Sequence, residues 1–358
     1  MVTAANKLIE QIKFKNYKSI KDATIKLTNL NILIGANGAG KSNFISFFKF
    51  FNYYIRDVVR QVKLLDDYIA KSGGADKFIT FGETSLELEI TLTQPSIWIY
   101  GMQFDKSLDK SLLRIDTRDG DLANQIEKLR TLQEKNDFLR KLYESPLKIG
   151  PVYHFDRARD DSPMNATIDS NDHWYLRSAG ENIAGMLKRV NKEYPKYYDL
   201  IVQTIRMVVP DFLDFVIHHD TEYIQLEWLN RYYPDTPLRA HYLSDGSLRF
   251  ICLATLLLMP IELQPEVIII DEPELGLHPE AISVLADLIV RASQDRQLII
   301  ATQSPLLLEK FSSGDIIVVD KDEKGSQFRR LDTEDLKIWL EKYNAAELWQ
   351  RGILGGQP

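Results

Sequence analysis

The sequence predicts an α/β fold, and three stretches indicate it. An apolar strand, Leu30 to Ile34, runs through a glycine-rich turn into a helix with an apolar face in "LNILIGANGAGKSNFISFFKFF". A second continuous apolar strand, Val267 to Ile270, is typical of a parallel strand buried on both faces. A third apolar strand lies in "RQLIIATQSP". Apolar strands that alternate with helical segments favour a sheet covered by helices.

Composition restricts the classes of function. The 358 residues are 44% hydrophobic and 27% charged, which is ordinary for a globular protein. The net charge of −7 supplies no general attraction for nucleic acid or an anionic membrane, so nucleic-acid binding would need a local basic patch. The single cysteine, Cys252, excludes a disulfide within the chain. No signal pattern or bilayer-length apolar run is visible, and we therefore expect a cytoplasmic protein without membrane association.

The glycine-rich turn matches a phosphate-binding loop. Gly35 to Ser42 fits the pattern G-x-x-x-x-G-K-[ST] between a strand and a helix, as this motif requires. Glycines let backbone amides approach phosphate oxygens, Lys41 can reach the β and γ phosphates, and Ser42 can coordinate Mg²⁺. The sequence therefore predicts an ATP site with Mg²⁺. The expected nucleotide-binding residues here are Asn37, Gly38, Ala39, Gly40, Lys41, Ser42 and Asn43.

Two carboxylates close the strand of residues 267–270. In a parallel sheet they lie at the carboxyl edge, where such sheets bind ligands. We expect Asp271 to share the magnesium ion with Ser42, and Glu272 to act as the general base. Two solvated acids at a strand end are the alternative. Gln303 is expected at the same edge, where an amide can orient water or sense the γ-phosphate.

A small polar turn precedes another apolar helix, in "HYLSDGSLRFICLATLLLMP". Ser244 and Gly246 would leave backbone amides free at a helix that begins near Ser247, and Gly246 has no side chain to block a phosphate. On this stretch alone, an ordinary helix N-cap is the favoured explanation of the turn.

In this order, these stretches resemble the ABC-type ATPase heads of the SMC, RecF and OLD group. "FKNYKSI" is similar to their first strand and turn, "GANGAGKS" to Walker A, "LSDGSLR" to the signature, "IIIDEPE" to Walker B and "ATQSP" to the switch loop. The resemblance is strongest to compact bacterial AAA family ATPases that are often encoded beside a Toprim-like protein. It adds Lys18 and Ser19 to the expected nucleotide-binding residues.

The resemblance implies a P-loop NTPase fold. It implies a single head with a mixed-sheet nucleotide-binding lobe, a helical lobe and no long coiled coil. Ser244 and Gly246 would then contact ATP bound to a second copy, in a homodimer that sandwiches the nucleotide. The expected boundaries are lobe I at about 1–118 plus 262–335, the helical and signature lobe at about 119–261, and a C-terminal helix and tail at 336–358.

Three positions depart from the family pattern. Asp245 replaces the second signature glycine, and its carboxylate would repel a γ-phosphate unless it turns away. Gln303 replaces the switch histidine, which predicts slow or partner-dependent hydrolysis. His278 stands where relatives have the D-loop aspartate, and it is either a packing or capping residue or a residue of the dimer seam.

Patterns elsewhere predict further elements. Residues 8–56 and 85–118 look strand-rich, 121–144 and 180–209 look helical, and 213–229 and "DIIVVDKDEKGSQFRRLD" look like hairpins. His154, Asp156 and Arg157 are candidates for a loop that senses nucleotide.

The leading hypothesis is an ATPase that dimerises on ATP and regulates an effector in DNA processing or anti-phage defence. Family analogy suggests a Toprim-like nuclease supplied in trans, because the segment after "ATQSP" is too short for such a domain. The alternative is a nucleotide-gated scaffold with negligible turnover.

Overall fold

The computed structural model describes residues 8–60, 64–93, 98–105, 110–117, 148–155, 164, 166–218, 221–331 and 344–355. The strands are β1 (Ile9–Tyr17), β2 (Ile20–Lys26), β3 (Leu30–Ile34), β4 (Ser85–Leu92), β5 (Trp98–Asp105), β6 (Lys110–Thr117), β7 (Ile149–Tyr153), β8 (Ile168–Asp169), β9 (Phe212–Phe215), β10 (Tyr223–Ile224), β11 (Glu227–Asn230), β12 (Tyr233–Arg239), β13 (Val267–Asp271), β14 (Gln297–Ala301), β15 (Ile316–Asp322) and β16 (Gly325–Arg330). The α-helices are α1 (Lys41–Arg60), α2 (Leu64–Lys71), α3 (Ile183–Glu193), α4 (Pro195–Val208), α5 (Asp245–Leu258), α6 (Pro279–Ala292), α7 (Pro305–Leu308) and α8 (Ala345–Gln350).

A six-stranded sheet forms the centre of the fold, in the order β16-β15-β3-β14-β13-β7. Strands β15, β3, β14, β13 and β7 are parallel to one another, and β16 pairs antiparallel with β15. The mixed sheet is therefore confirmed. Because β3, β14 and β13 are neighbours, the loops after their carboxyl ends meet at one edge of the sheet.

Both faces of this sheet are buried, as the continuous apolar strands predict. Side chains on one face, such as Ile269 and Ile299, pack with helix α1 and with a second, five-stranded antiparallel sheet ordered β2-β1-β4-β5-β6. Side chains on the other face, such as Ile268 and Ile300, pack with the helices on the opposite side. Alternation along each strand thus divides the apolar core into two clusters.

The second side of the sheet carries the helical part of the molecule. Helix α5 packs against α4 and α6, and it is buried on almost every side, which explains its uninterrupted apolar sequence. A three-stranded sheet (β12-β11-β9) and a two-stranded sheet (β10-β8) adjoin these helices. The longest helix among the described residues has 20 residues, and this part of the chain contains no long coiled coil.

The structure tests most of the predicted elements. The hairpin β15-β16, the pairing of β9 with β11 and the two helices within 180–209 agree with the sequence. Residues 121–144 lie outside the described part of the chain. In the described ranges, no helix has both the length and the apolar character needed to cross a bilayer.

Two positions differ from expectation. Helix α5 begins at Asp245 rather than near Ser247, because Ser244 itself is the N-cap. Strand β7 lies in the six-stranded sheet, paired with β13, although it falls inside the range expected for the helical lobe. A boundary at about residue 119 therefore does not hold for this strand, since its parallel partner lies more than a hundred residues along the chain, beyond any local pattern.

Candidate active site

The phosphate loop joins β3 to α1. Gly38 and Gly40 have φ values of 77° and 126°, in the region that favours glycine. A Cβ at Gly40 would lie 2.2 Å from the Oγ of Ser326, whereas Gly38 has open space around it. The first helical hydrogen bond runs from Phe44 N to Gly40 O, so the amides just after Gly40 point out of the helix start. The loop has the geometry of an anion-binding helix N-terminus.

Lys41 is the charged residue of this loop, and only 5% of its surface is exposed. Its Nζ donates hydrogen bonds to the carbonyls of Gly35 and Ala36, the latter at 3.1 Å. Burial lowers the pKa of Lys41, and the nearby carboxylates, Glu272 first, oppose this shift. The ammonium group is therefore held by carbonyls of its own loop and feels the charge of the acids at the end of β13.

Ser42 and Asn43 begin helix α1. Ser42 is exposed, and Asn43 Nδ2 donates to Ser19 Oγ at 2.6 Å. Ser19 Oγ in turn lies 2.7 Å from Ser326 Oγ, which donates to the carbonyl of Ala39. The predicted residue Ser19 thus supports the loop from the β1-β2 turn. Ser326, which the sequence analysis missed, closes this network from a hairpin that carries no recognisable motif.

Lys18 is positioned by its contacts with α1 and with aromatic rings. Its Nζ donates to Ser46 Oγ at 2.8 Å and lies 5.2 Å from the ring centre of Phe78. Its backbone φ is 51°, an uncommon value for a residue with a long side chain. Burial lowers the pKa of the Lys18 ammonium group, and the charge of Lys49 lowers it further. Contact between Lys18 and nucleotide stays a prediction.

Asp271 ends β13 at the predicted edge of the sheet. Burial raises the pKa of its carboxyl group, and His154 is the first of the groups that oppose this shift. The Nδ1 atom of His154 also lies 3.3 Å from the backbone oxygen of Asp271. His154 therefore lies beside the acids, at the carboxyl end of β7, whereas Asp156 and Arg157 fall outside the described residues.

Glu272 and Gln303 are brought together. Gln303 Nε2 donates to Glu272 Oε1 at 2.7 Å, which joins the loop after β14 to the loop after β13. Glu272 has a φ of 49°, and its backbone amide donates to the carbonyl of Ala301 at 2.8 Å. A non-glycine residue held in this region costs conformational energy, and such strain occurs most often at functional sites.

Glu274 is a residue that the sequence analysis missed. Its Oε1 accepts hydrogen bonds from Thr302 Oγ1 at 2.6 Å and from the Gln303 amide at 2.9 Å. Burial raises the pKa of Glu274, while the bonds from Thr302 and Gln303 lower it. The repeated acid in "DEPE" was visible in the sequence, but its partner lies on another strand and no spacing indicates it.

The signature turn is held inside its own chain. Ser244 Oγ accepts from the Ser247 amide at 3.1 Å, which makes Ser244 the N-cap of α5. A Cβ at Gly246 would lie 2.2 Å from the carbonyl oxygen of Gly276, in the segment after Walker B. This contact alone requires glycine at 246. Among the described residues, the side-chain hydrogen bonds of Ser244 go to Ser247 and none reaches the phosphate loop.

His278 occupies the N-cap position of α6. It is exposed, and its side chain makes no capping hydrogen bond. Neither packing nor capping therefore accounts for this residue.

The fold is that of known ATPase heads. The SMC head bound to the C-winged helix domain of ScpA superposes with a TM-score of 0.62 at 15% identity, over 92% of this chain and 99% of that one. An SMC head with an extended coiled coil, bound to the C-terminal domain of ScpA derived from Pyrococcus furiosus, gives 0.61 at 16% identity, over 94% and 99%. The arrangement is the P-loop ABC-type ATPase head seen in SMC proteins.

A family model described as "AAA domain, putative AbiEii toxin, Type IV TA system" matches residues 30–309, and the chain belongs to this AAA family. No curated protein matches the sequence significantly. The match extends from β3 to the end of α7, so it includes the phosphate loop, both acids and Gln303.

Proposed function

We propose that this protein binds ATP with Mg²⁺ and hydrolyses it at the edge of the six-stranded sheet. One observation carries the proposal. Lys41, Glu272 and Gln303 follow three adjacent parallel strands, and Gln303 lies within hydrogen-bond distance of Glu272. A phosphate-binding loop thus faces a carboxylate that is already oriented by an amide.

Each residue has a role in this reaction. Asn37 to Asn43 surround the phosphates with backbone amides and Lys41, which neutralises charge that develops on the transferred phosphoryl group. Glu272 accepts a proton from the attacking water, and Gln303 orients both. No covalent intermediate is needed, because phosphoryl transfer to water depends on positioning and electrostatics.

The residues suit a magnesium ion. Mg²⁺ prefers oxygen ligands and completes its shell with water and phosphate oxygens. Ser42 is exposed at the start of α1, and Asp271 supplies a carboxylate from the end of β13 at the same edge of the sheet. Bound Mg²⁺ would offset negative charge on the phosphates during the reaction.

We further propose that ATP joins two copies of the chain, with Ser244 of one copy next to nucleotide on the other. Ser244 and Asp245 are exposed on the surface, where a second copy could reach them. His278 is exposed as well, at the start of α6. Gly246 also makes a close contact with Gly276 of its own chain, and its contact with nucleotide on the other copy stays a prediction.

The dimer would act on an effector in the cytoplasm. SMC heads of this fold have been seen with a ScpA domain bound, which supports a protein partner as a general mode for such heads. The proposed partner is a Toprim-like nuclease, and the proposed setting is DNA processing or anti-phage defence. Both depend on family analogy.

The second candidate is a nucleotide-gated scaffold in which ATP locks the dimer and is hardly hydrolysed. One observation favours it. Gln303 is a neutral amide where related switches have histidine, and it donates to the carboxylate expected to act as base. A neutral amide cannot take up or release a proton during the reaction, which favours slow turnover.

Single-turnover hydrolysis of radiolabelled ATP distinguishes the two. If Glu272 is the base, Glu272→Gln lowers the rate of the chemical step by about 100- to 10,000-fold, while ATP affinity stays close to that of the wild type. ATP-dependent dimers should then accumulate. A wild-type rate no higher than that of Glu272→Gln would favour the scaffold.

A complementation experiment tests the shared site. We expect Ser244→Arg to bind ATP but not to dimerise, because a bulky side chain occupies the proposed seam. Ser244→Ala is the matched control, since it loses the same N-cap bond, worth about 1 kcal/mol, without added bulk. In multi-angle light scattering with ATP, Ser244→Ala should form dimers, whereas Ser244→Arg should stay monomeric.

Lys41→Met completes this experiment. It removes the phosphate ligand, and neither it nor Ser244→Arg should hydrolyse ATP alone. Their mixture can form one intact composite site, so we expect partial recovery of hydrolysis. A mixture without hydrolytic activity would contradict a site shared between two chains. Dimers of Ser244→Arg at the ATP concentration at which the wild type dimerises would contradict it as well.

A further inference from the structure

Glu274 connects the two loops on which the proposed reaction depends. It lies in the turn after Glu272, where Leu277 N donates to the Glu274 carbonyl at 3.0 Å. Its side chain reaches across to the end of β14, and Oε1 accepts from both Thr302 Oγ1 and Gln303 N. A single oxygen atom therefore ties the Walker B turn to the switch loop.

The far end of this connection is rigid. Thr302 is fully buried, and its amide donates to the carbonyl of Leu33 at 3.0 Å, next to the phosphate loop. Thr302 Oγ1 also accepts from Ser304 N at 3.0 Å. Thr302 is thus held from both sides, and Glu274 is anchored to the strand beside β3 rather than to a mobile surface group.

The backbone position of Gln303 follows from this anchor. With its amide bound to Glu274, Gln303 directs Nε2 to Glu272 Oε1 at 2.7 Å. Glu272 itself is in a strained conformation, with a φ of 49°. Strain of this kind persists only when surrounding contacts over-determine it, and the bonds of Glu274 are among those contacts.

We propose that Glu274 is a positioning residue for hydrolysis, which acts through Gln303 to hold the Glu272 carboxylate in its productive orientation. This inference rests on the proposed function. Glu274 touches neither nucleotide nor water in this role. The positioning role requires an acceptor oxygen at the position of Oε1, because Thr302 and Gln303 both donate to this atom.

Two substitutions separate the acceptor from the charge. Glu274→Met keeps a similar length and removes the acceptor, whereas Glu274→Gln keeps an acceptor oxygen and removes the charge. The other oxygen, Oε2, is buried and has no hydrogen-bond partner among the described side chains and backbone groups, so the new amide nitrogen can take its place. Glu266→Met is the control, since Glu266 lies just before β13 and pairs with Lys148 at the opposite edge.

We expect Glu274→Met to lower kcat by about 10- to 100-fold, as misplacement of a catalytic group does, with KM for ATP and ATP affinity little changed. Glu274→Gln should recover most of this loss, and Glu266→Met should leave the rate within about twofold of the wild type, as expected for a half-buried position outside the site. In the Gln303→Ala background, Glu274→Met should lower kcat by less than about a further threefold, because both residues act through one contact.

Other outcomes overturn the proposal. Full additivity of Glu274→Met with Gln303→Ala, or equal loss in Glu274→Met and Glu274→Gln, would show that Glu274 does not act as an acceptor through Gln303. If Glu274→Met does not fold, Thr302→Val removes the anchoring hydroxyl and should lower kcat in the same way, and a wild-type rate in Thr302→Val would also contradict the proposal. Absence of turnover in the wild type would instead refute the proposed function.

Discussion

Gly40 shows why the phosphate loop tolerates so little change. Its φ of 126° is outside the range that other residues adopt readily, and Ser326 Oγ lies where a Cβ would be placed. Ser326 cannot move freely, because it is bound to Ala39 and Ser19. Backbone conformation and packing therefore both require glycine here. Gly38 shares only the first requirement, since the space around it is open.

We expect Gly40→Ala to lower the free energy of unfolding by about 3 kcal/mol, the sum of a strained φ and an overpacked contact. Gly38→Ala should lose only about 1 kcal/mol, for the strained φ alone. Urea unfolding followed by circular dichroism measures both. Equal losses in the two variants would mean that the contact with Ser326 has no energetic weight.

Arg249 attaches helix α5 to two neighbouring segments of the chain. The helix is apolar on nearly all sides, yet this buried arginine donates from Nε to the carbonyl of Phe155 and from Nη1 to that of Leu275. The helix that carries the signature is thereby fastened to the segment after β7 and to the segment after Walker B. Gly246 against Gly276 adds a second attachment to that segment.

Replacement of Arg249 by methionine should cost about 3 kcal/mol, because the carbonyl of Phe155 in a buried bond and that of Leu275 in a partly buried one lose charged donors. Arg231→Met is the matched control. Arg231 is exposed in the turn before β12, so its loss should stay within about 0.5 kcal/mol. Thermal unfolding of both variants without nucleotide measures the difference, and a similar melting temperature for the two would show that α5 is held by apolar packing alone.

Gln297 joins the two large sheets at the scale of the whole molecule. Its side chain is fully buried and makes three hydrogen bonds: Oε1 accepts from Ile9 N, while Nε2 donates to the carbonyls of Ile9 and Thr28. Ile9 begins β1 of the five-stranded sheet, and Gln297 begins β14 of the central sheet. One side-chain amide thus bonds to backbone groups at the point where the two sheets meet.

We expect Gln297→Leu to destabilise the protein by about 3 kcal/mol, since the amide and the carbonyl of Ile9 would lose this partner in a buried place and the carbonyl of Thr28 would lose one of its two donors. Gln264→Leu is the comparison, because Gln264 makes one such bond, to the carbonyl of Leu256, and should cost about 1 kcal/mol. Chemical denaturation with an intrinsic tryptophan signal gives both values. If the two variants lose the same free energy of unfolding, the hydrogen bonds of Gln297 contribute nothing special to joining the two sheets.

Local patterns were enough to predict much of this protein. The phosphate loop, the acids after β13, the hairpin β15-β16 and the helix after Ser244 each depend on residues close together in the chain. Apolar periodicity and glycine placement report such elements directly. The common edge for Lys41, Asp271 and Gln303 also followed, because parallel strands bring their carboxyl ends together.

The tertiary structure alone decided which distant groups meet. Glu274 and Thr302 are joined by a hydrogen bond between two loops, Gly246 faces Gly276, and Ser326 closes on the phosphate loop from a hairpin far along the chain. Strand β7 likewise pairs with β13, which is distant from it in the chain. Such contacts depend on how the strands are ordered and how the helices pack. A short window of sequence contains no record of either, so a carboxylate like Glu274 looks solvated until the fold places its partner beside it.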